Sequence, residues 1–460
     1  MPDNIEEVDR IAELDEPAPS EVHRGQARIA YRLADRYANR LLHVHGIGWH
    51  TWDGTRWALD NVGHAKRAVL DVLRLSLAES LGDKELRADV RKCESASGVS
   101  GVLDIAGALP EFAATARDLD ADPYLLNCSN GTLDLRTLEL RSHDPADRVT
   151  KVCRAAYDPA APGSTWDKHL TRVLPGADVR AYLQRLTGVA LVGKVLEHVL
   201  GILTGTGANG KTVFINALAW SLGDYASTAE PDLFMHREGA HPTGEMDLLG
   251  RRLVVVSESE RNRRLAEATM KRLTGGDTIR ARKMRQDFIE FEPSHTALLV
   301  TNHLPKVAGD DPAIWRRLRV IPFSVEIPPL ERDQRIGESL QAEADAVLAW
   351  AVAGWVAYRR QDGLAEPADV VAATDDYHQS SDAVGRFVAE ACLTSSPVVK
   401  ATTGQLFEAW DRWRLVDGAE PISQKAFGQA LDRLGFPAGR AVNGKRWRVG
   451  IALSAVDDEQ

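Results

Sequence analysis

Residues 205–212 read GTGANGKT, so Gly205, Thr206, Gly207, Ala208, Asn209 and Gly210 lead into Lys211 and Thr212. This is the spacing G-x-x-x-x-G-K-[ST], and it suits the holding of a polyphosphate. Side chains would obstruct a loop that must wrap oxygen atoms closely, so the three glycines free backbone N–H groups to point inward. A helix starting near Lys211 adds its own unpaired N–H groups and its positive end. Lys211 would then neutralise the β- and γ-phosphates of ATP, and the Thr212 hydroxyl would complete a Mg²⁺ shell. A glycine turn with a chance lysine is the competing reading, and the apolar strand before and amphipathic helix after weigh against it.

Hydrolysis also needs acids at the end of a neighbouring strand. The run RLVVVSESE (252–260) supplies Glu258 and Glu260, one carboxylate to hold the metal and the other to orient water. If the segment is extended throughout, alternation puts the two on the same side. A later strand ends in TNHLP (301–305), where Asn302 can bond a γ-phosphate or serve equally as a turn former. WRRLR (315–319) follows, and Arg316 and Arg317 are each either a fork for phosphate charge or a surface residue. Between acids and asparagine, residues 261–285 carry nine basic residues against two acidic ones. Their end, TIRARKMRQDFIEF (278–291), predicts a hairpin bearing Arg280, Arg282, Lys283 and Arg285 near its tip. Such cations would track a nucleic-acid backbone without distinguishing bases.

The elements that must position these residues are legible in outline. Apolar runs at 199–203, 252–257, 296–301 and 317–323 predict strands, residues 211–223 a helix, and 331–363 a long helical stretch, the grammar of an α/β domain. Residues 179–193 predict an amphipathic helix packed on that domain, after a linker at 156–165. Upstream, residues 25–120 read as mainly helical, with Val69, Leu70, Leu73, Leu77 and Leu81 on one predicted stripe. Hairpins are expected around Asp53-Gly54 and Asn130-Gly131. The boundaries follow: a disordered tail over 1–24, an accessory region over 25–155, the ATPase domain with a preceding helical collar over 165–363, and a module over 384–456. That last module predicts helices at 384–392, 403–414 and 423–434, then two strands around Asn443-Gly444, in the manner of a winged helix.

A net charge of −10 confines any nucleic-acid contact to local basic patches. Four scattered cysteines without ligand spacing, and no apolar run of membrane-crossing length, point to a reducing intracellular compartment with no membrane partner. His236 and His241, five apart, are weak evidence for a metal.

The order GTGANGKT, RLVVVSESE, MKRLTGGDTIRARKM, TNHLP and IWRRLRVIPF resembles the superfamily 3 helicases, and among them the helicase part of the primase–helicase proteins of phages, plasmids and large DNA viruses. The likeness covers about residues 120–330, including DPYLLNCSNGTLDLRTLELRSHDPADRVTKV (122–152). It implies a P-loop, AAA+-like α/β core that uses ATP and Mg²⁺ at the interfaces of a homo-oligomeric ring, a hexamer, to move along single-stranded DNA during replication of a phage or plasmid-like element in a bacterial cytoplasm. Gly210, Lys211 and Thr212 then match the phosphate loop, Glu258 and Glu260 the acids, with Glu258 and Thr212 on the metal, and Asn302 the sensor. Lys283 matches the tip of the DNA-contacting hairpin. Arg316, slightly favoured over Arg317, matches the arginine reaching a neighbour's ATP site. The tail resembles the winged-helix-like end, where Lys445, Arg446 and Arg448 would touch duplex origin DNA. A separate primase or polymerase is an implied partner. The 120 residues before the shared region carry no convincing D-x-D or D-x-E strand motif, so helicase activity is expected and primase activity is not. An origin-binding ATPase or loader with little unwinding is the alternative, and a small-molecule phosphotransferase a third reading that leaves the basic hairpin unused.

Overall fold

The computed structural model describes residues 22–235, 242–258, 263–282, 288–307, 311–394, 396, 398–419, 421–439 and 446–454. Most of the expected 1–24 tail, the pair His236 and His241, and the predicted Asn443-Gly444 turn lie outside these.

The first unit packs α1 (Gly25–Tyr37) against three later helices beside a four-stranded sheet. Its strands β1 (Leu41–Val44), β2 (Gly48–Trp52) and β3 (Trp57–Leu59) form a meander whose last turn is the expected one at Asp53-Gly54. Helices α2 (His64–Glu79), α3 (Lys84–Cys93) and α4 (Ala96–Ala106) follow, then β4 (Ala113–Ala114), parallel to β1. Asp83 and Ser95 start α3 and α4 by accepting from the backbone N–H groups of Leu86 and Gly98. The predicted leucine stripe on α2 is corrected. Ala65, Ala68, Val69, Val72, Leu73 and Ser76 face the core, while Leu70, Leu77 and Leu81 are exposed. Small residues on the inward face let neighbouring helices approach more closely than leucines would.

A connecting meander, β5 (Leu125–Cys128), β6 (Gly131–Asp134) and β7 (Glu139–Arg141), contains the hairpin expected at Asn130-Gly131 plus a third strand. Two helices follow, α5 (Ser164–Val173) and α6 (Ala177–Val189), leading into a five-stranded sheet. In chain order this central part runs β8 (Leu200–Thr204), α7 (Lys211–Leu222), β9 (Ala226–Ala229), β10 (Leu253–Glu258), α8 (Glu267–Gly275), β11 (Ile279–Ala281), β12 (Ile289–Phe291), β13 (Thr296–Thr301), α9 (Pro312–Trp315), β14 (Leu318–Pro322), α10 (Ile336–Ala342), α11 (Ala344–Gln361) and α12 (Ala368–Ser381). The sheet order is β14-β8-β13-β10-β9, every neighbouring pair parallel. This is the expected mixed α/β architecture with a parallel sheet.

Both faces of the sheet are covered, which explains why its central strands read as unbroken apolar runs. Leu253 and Val255 face the cluster shared with α5, α6, α7 and α11, while Val254 and Val256 face the one shared with α8, the β11–β12 hairpin and α9. On the first face Trp166 stacks on Phe214 at 5.5 Å and meets Trp350 edge-on at 5.3 Å, joining α5, α7 and α11. Helices α6 and α11 touch through glycine. A Cβ on Gly354 would lie 1.9 Å from the Gln184 carbonyl oxygen, and one on Gly188 2.1 Å from the Trp355 nitrogen.

The tail has its own core around Phe387, Leu406, Trp410, Phe427 and Leu431. Helices α13 (Ala383–Ala391), α14 (Thr403–Asp417) and α15 (Gln424–Arg433) match the three expected. The expected pairing across Asn443-Gly444 is present at one point, an antiparallel bridge between Ala438 and Arg448 with Gly439 N–H donating to Trp447 O at 2.8 Å. With β15 (Cys392–Leu393), β16 (Lys400–Thr402), β17 (Trp447–Val449) and β18 (Ala452–Leu453), the ladders are β16–β17 and β15–β18, so the last two strands pair with earlier segments and not with each other.

Two stability predictions follow from this packing. Gly354→Ala pushes a methyl into backbone that cannot yield, and should cost about 3 kcal/mol or more by denaturant titration. His295 is buried at the start of β13, neither ring nitrogen has a hydrogen-bond partner among the described residues, and burial pushes its pKa down to about 4. The unfolded chain takes up this proton near pH 6.5 and the folded one only near 4. Stability from the neutral ring is therefore full above 6.5 and falls by about 3 kcal/mol as pH drops to 4. Melting curves of His295→Leu across that window should be measurably flatter than those of the parent.

Candidate phosphate-binding site

The loop between β8 and α7 turns through left-handed backbone at Gly207 (φ +115°), Ala208 (φ +48°) and Gly210 (φ +81°). It is strapped from beneath by the chain leaving β14. Phe323 N–H donates to Thr204 O at 2.8 Å, Ile327 N–H to Ala208 O at 2.8 Å, and the Asn209 amide to Phe323 O at 3.2 Å. Two glycines have no room for a side chain. A Cβ on Gly205 would lie 2.4 Å from Phe323 O, and one on Gly210 would lie 2.3 Å from Val173 Cγ1 and 3.1 Å from His169 Cε1. Helix α5 thus backs the loop, a contact that nothing in the motif reveals.

Lys211 is only 4% exposed, and its ammonium donates to Gly205 O at 2.9 Å, Asn209 Oδ1 at 3.1 Å and Asn302 Oδ1 at 3.2 Å. Burial lowers its pKa. Asn302 follows the end of β13, so a residue of the neighbouring strand end is in direct contact with the loop lysine. The register explains why. Thr204 is paired with Thr301, and Thr301 with Glu258, so the three strands end level and deliver the loop, Asn302 and Glu258 to one edge. Glu258 is the last residue of β10, two strand spacings from the β8 line, or about 10 Å. Glu260 lies outside the described residues, as does any test of its side-by-side placement with Glu258.

Over this edge opens a cavity of about 440 Å³, lined by residues 207–213 and by Ser257, Val300, Thr301 and Asn302. Thr212 is exposed on its wall. A buried ammonium held by neutral oxygens, a glycine loop pressed by Phe323 O and α5 with no room for a Cβ at Gly205 or Gly210, and a helix start facing the opening all fit a nucleoside triphosphate tail. Sequence reasoning missed Ser257, read only as part of a strand, and the structural role of Asn209. Among the described residues no cluster of His, Cys, Asp and Glu could hold a metal alone.

The stem of the basic hairpin forms as expected, with Ile279 paired to Phe291, Arg280 to Glu290 and Ala281 to Ile289. Its apolar side chains face the core, while Arg280 and Arg282 are exposed, their guanidinium groups lying 4.8 and 4.5 Å from the Phe288 ring centre. Lys283 and Arg285 lie outside the described residues. The two candidate arginines differ. Arg316 is exposed, bonding only weakly back to Pro312 O at 3.3 Å, whereas Arg317 turns inward to Thr274 O at 3.4 Å and His198 Nδ1 at 3.3 Å.

Residues 30–175 match the family described as "D5 N terminal like", and residues 203–317 one described as "Family of unknown function (DUF5906)". Over 214 residues the chain is 31% identical to "Putative helicase L207/L206" of Acanthamoeba polyphaga mimivirus, covering 45% of this chain and 22% of that protein. Over a similar stretch it is 28% identical to "Putative primase C962R" of African swine fever virus, covering 44% of this chain and 22% of that one. Together these matches support a primase–helicase family. It spans under a quarter of the length of those viral relatives. A solved structure of the NrS-1 C-terminal region shares 12% identity over 70% of this chain and 91% of that one at a TM-score of 0.40, too distant for any functional likeness.

Against expectation, these primase–helicase relatives come from viruses of eukaryotes, and one carries a primase name where no primase activity was expected. Among the described residues no helix is long and apolar enough to cross a membrane.

One expected nucleic-acid contact is corrected. Arg448 is 3% exposed, pairs with Asp432 at 2.6 Å, and donates to Thr403 Oγ1 at 3.1 Å and Gly428 O at 2.8 Å. It is spent on joining β17 to α14 and α15, because a buried guanidinium needs acceptors on every side. Arg446 is exposed, and Lys445 lies outside the described residues. Arg448→Ala should therefore cost the tail module about 3 kcal/mol. Limited proteolysis should cut within 384–454 first, before any change in DNA affinity of the folded fraction.

Proposed function

We propose that this chain is the ATP-hydrolysing motor of a helicase that acts on single-stranded DNA in viral replication, with a P-loop core of the superfamily 3, AAA+-like kind and a winged-helix-like tail. The observation that carries the reading is the buried Lys211 ammonium shared between the loop carbonyl of Gly205 and Asn302 at the level ends of parallel strands. Such a cation is already surrounded by oxygen acceptors, and phosphate oxygens can take their place.

In this reading residues 205–212 hold the triphosphate through backbone N–H groups, and Lys211 neutralises the β- and γ-phosphates. Thr212 and Glu258 would hold Mg²⁺. The bound nucleotide supplies the phosphoanhydride whose cleavage drives the motor. Asn302, released from Lys211, would orient the γ-phosphate or the attacking water, with Glu260 as the activating acid. Arg316, exposed and away from its own cavity, would complete the site of a neighbouring copy in a ring, a hexamer. Arg317 has a different duty. Its bond to Thr274 ties the start of β14 to the segment entering the basic hairpin, and Lys271 bonds Asp311, the N-cap of α9, so the hairpin and Arg316 are mechanically linked. Arg280, Arg282, Lys283 and Arg285 would grip the strand's phosphates. Arg446 and Lys445 are the tail cations left to meet duplex DNA, and primer synthesis would belong to a separate partner.

Purified Lys211→Ala and Arg316→Ala proteins should each lose turnover by about 100-fold or more. Mixed in equal amounts, they should regain it in part, because about a quarter of the interfaces in a randomly assembled ring then join an intact loop to an intact arginine. Near-normal turnover by Lys211→Ala alone would refute the phosphate site. No recovery in proteins that co-assemble would refute the arginine acting across subunits, and DNA-stimulated ATPase without strand displacement would favour a loader.

A further inference from the structure

Among the described residues the N-terminal unit contributes nothing to the lining of the Lys211 cavity, yet it reaches the basic hairpin through the β1–β2 turn and through the neighbouring Ala116–Asp118 turn. The turn between β1 and β2 is pinned by bonds from His45 N–H to Ala114 O at 2.9 Å and from Ile47 N–H to Val44 O at 3.0 Å. At its apex Gly46 has φ +75°, and a Cβ there would lie 3.2 Å from Ile289 Cγ2 in β12. The turn therefore lies against the hairpin stem. Its neighbour Ile47 packs on two clusters at once, the one holding Ile279, Ala281, Ile289 and Phe291 of the stem, and the small N-terminal one of Leu42, Val44, Trp57 and Ala114. Beside this contact the two parts separate. A cleft of about 740 Å³ opens with Arg117 and Leu119 on its N-terminal wall and Thr278, Glu290 and Phe291 on its hairpin wall.

We propose that the N-terminal unit is the seat of the DNA-gripping hairpin, with Ile47 as its positioning residue. The proposal rests on the reading of the hairpin as a DNA-contacting element. A two-stranded stem alone is marginally stable. Here its buried face is completed in part by Ile47, the apolar side chain that the β1–β2 turn brings to it. The seat fixes where Arg280 and Arg282 stand relative to the sheet while leaving the nucleotide cavity untouched.

The test pairs Ile47→Ala with the conservative Ile47→Leu in the full chain. Hydrogen exchange followed by mass spectrometry should show faster exchange in peptides spanning 279–281 and 289–291 of the alanine variant, with β8 and β13 unchanged. Basal ATPase should stay within about twofold of the parent, while the increment produced by single-stranded DNA falls about fivefold or more, and leucine should restore both exchange and increment. Unchanged stem exchange, or equal loss of basal and stimulated turnover in a folded variant, would overturn the proposal. If the stem loosens but the parent's ATPase ignores DNA, the seat stands and the DNA reading of the hairpin falls. Absence of ATPase in the parent would instead strike the phosphate site, and the exchange data would still decide the seat.

Discussion

A buried ammonium that must be surrounded by oxygen sets the terms for the rest of the site. Lys211 cannot sit at 4% exposure unless acceptors replace its water, and it finds them in a loop carbonyl, a loop amide and an amide from the next strand. That requirement fixes the loop against β13, and β13 against β8 in a register that ends both strands level. It also explains why Asn209 is buried. Its oxygen serves the lysine while its nitrogen serves Phe323 O, so one side chain closes the loop on β14 as well. The three acceptors are neutral, so the ammonium's charge has no carboxylate against it in these bonds and is available to an anion.

What could be read from sequence divides along physical lines. Strands of five or six apolar residues closed on both faces announce themselves, and β8, β10, β13 and β14 fall within a residue or two of their expected limits. Motifs that sit at strand ends inherit that accuracy, and the level strand ends bring Asn302 to Lys211. β9 was missed because Ala226–Ala229 is short, carries no large apolar residue and lies at the sheet edge, held by one neighbour. α12 was missed because it starts just after Pro367 and buries few of its side chains, among them Val370 and Tyr377, so no periodic stripe marks it.

Other misreadings came from tertiary context. The exposed Leu70 and Leu77 on α2, and Leu81 just beyond it, outweigh in hydrophobicity the alanines that face inward, and no sequence window shows which face a neighbour needs to approach closely. In the tail, the local turn signal at Asn443-Gly444 is matched by the flanking Ala438–Arg448 bridge. The long-range ladders to 392–393 and 400–402, which close the core around Phe387 and Trp410, carry no local signal. Arg448 looked like a surface cation for the same reason. Its acceptors, Asp432, Thr403 and Gly428, are remote in sequence and converge only after folding.

The two faces of the sheet are built for different mechanical duties. One is a close-packed layer in which α6 and α11 meet backbone to backbone at Gly188 and Gly354 and three aromatic rings join α5, α7 and α11. Sliding there would require backbone atoms to pass through one another. The other face is an apolar layer around Met270, Leu273, Ile279, Phe291 and Ile314, built from shorter elements whose edges are tied by polar and ring contacts. Arg317 bonds Thr274, Lys271 bonds Asp311, His378 stacks on Trp315 at 4.2 Å, and the Tyr377 hydroxyl donates to Pro305 O, three residues beyond Asn302. Each such contact can be exchanged at modest cost, whereas the glycine contacts of the opposite layer cannot be exchanged at all. The phosphate loop is therefore backed by the layer in which helices meet through glycine, and the basic stem and the exposed arginine belong to the layer of shorter elements.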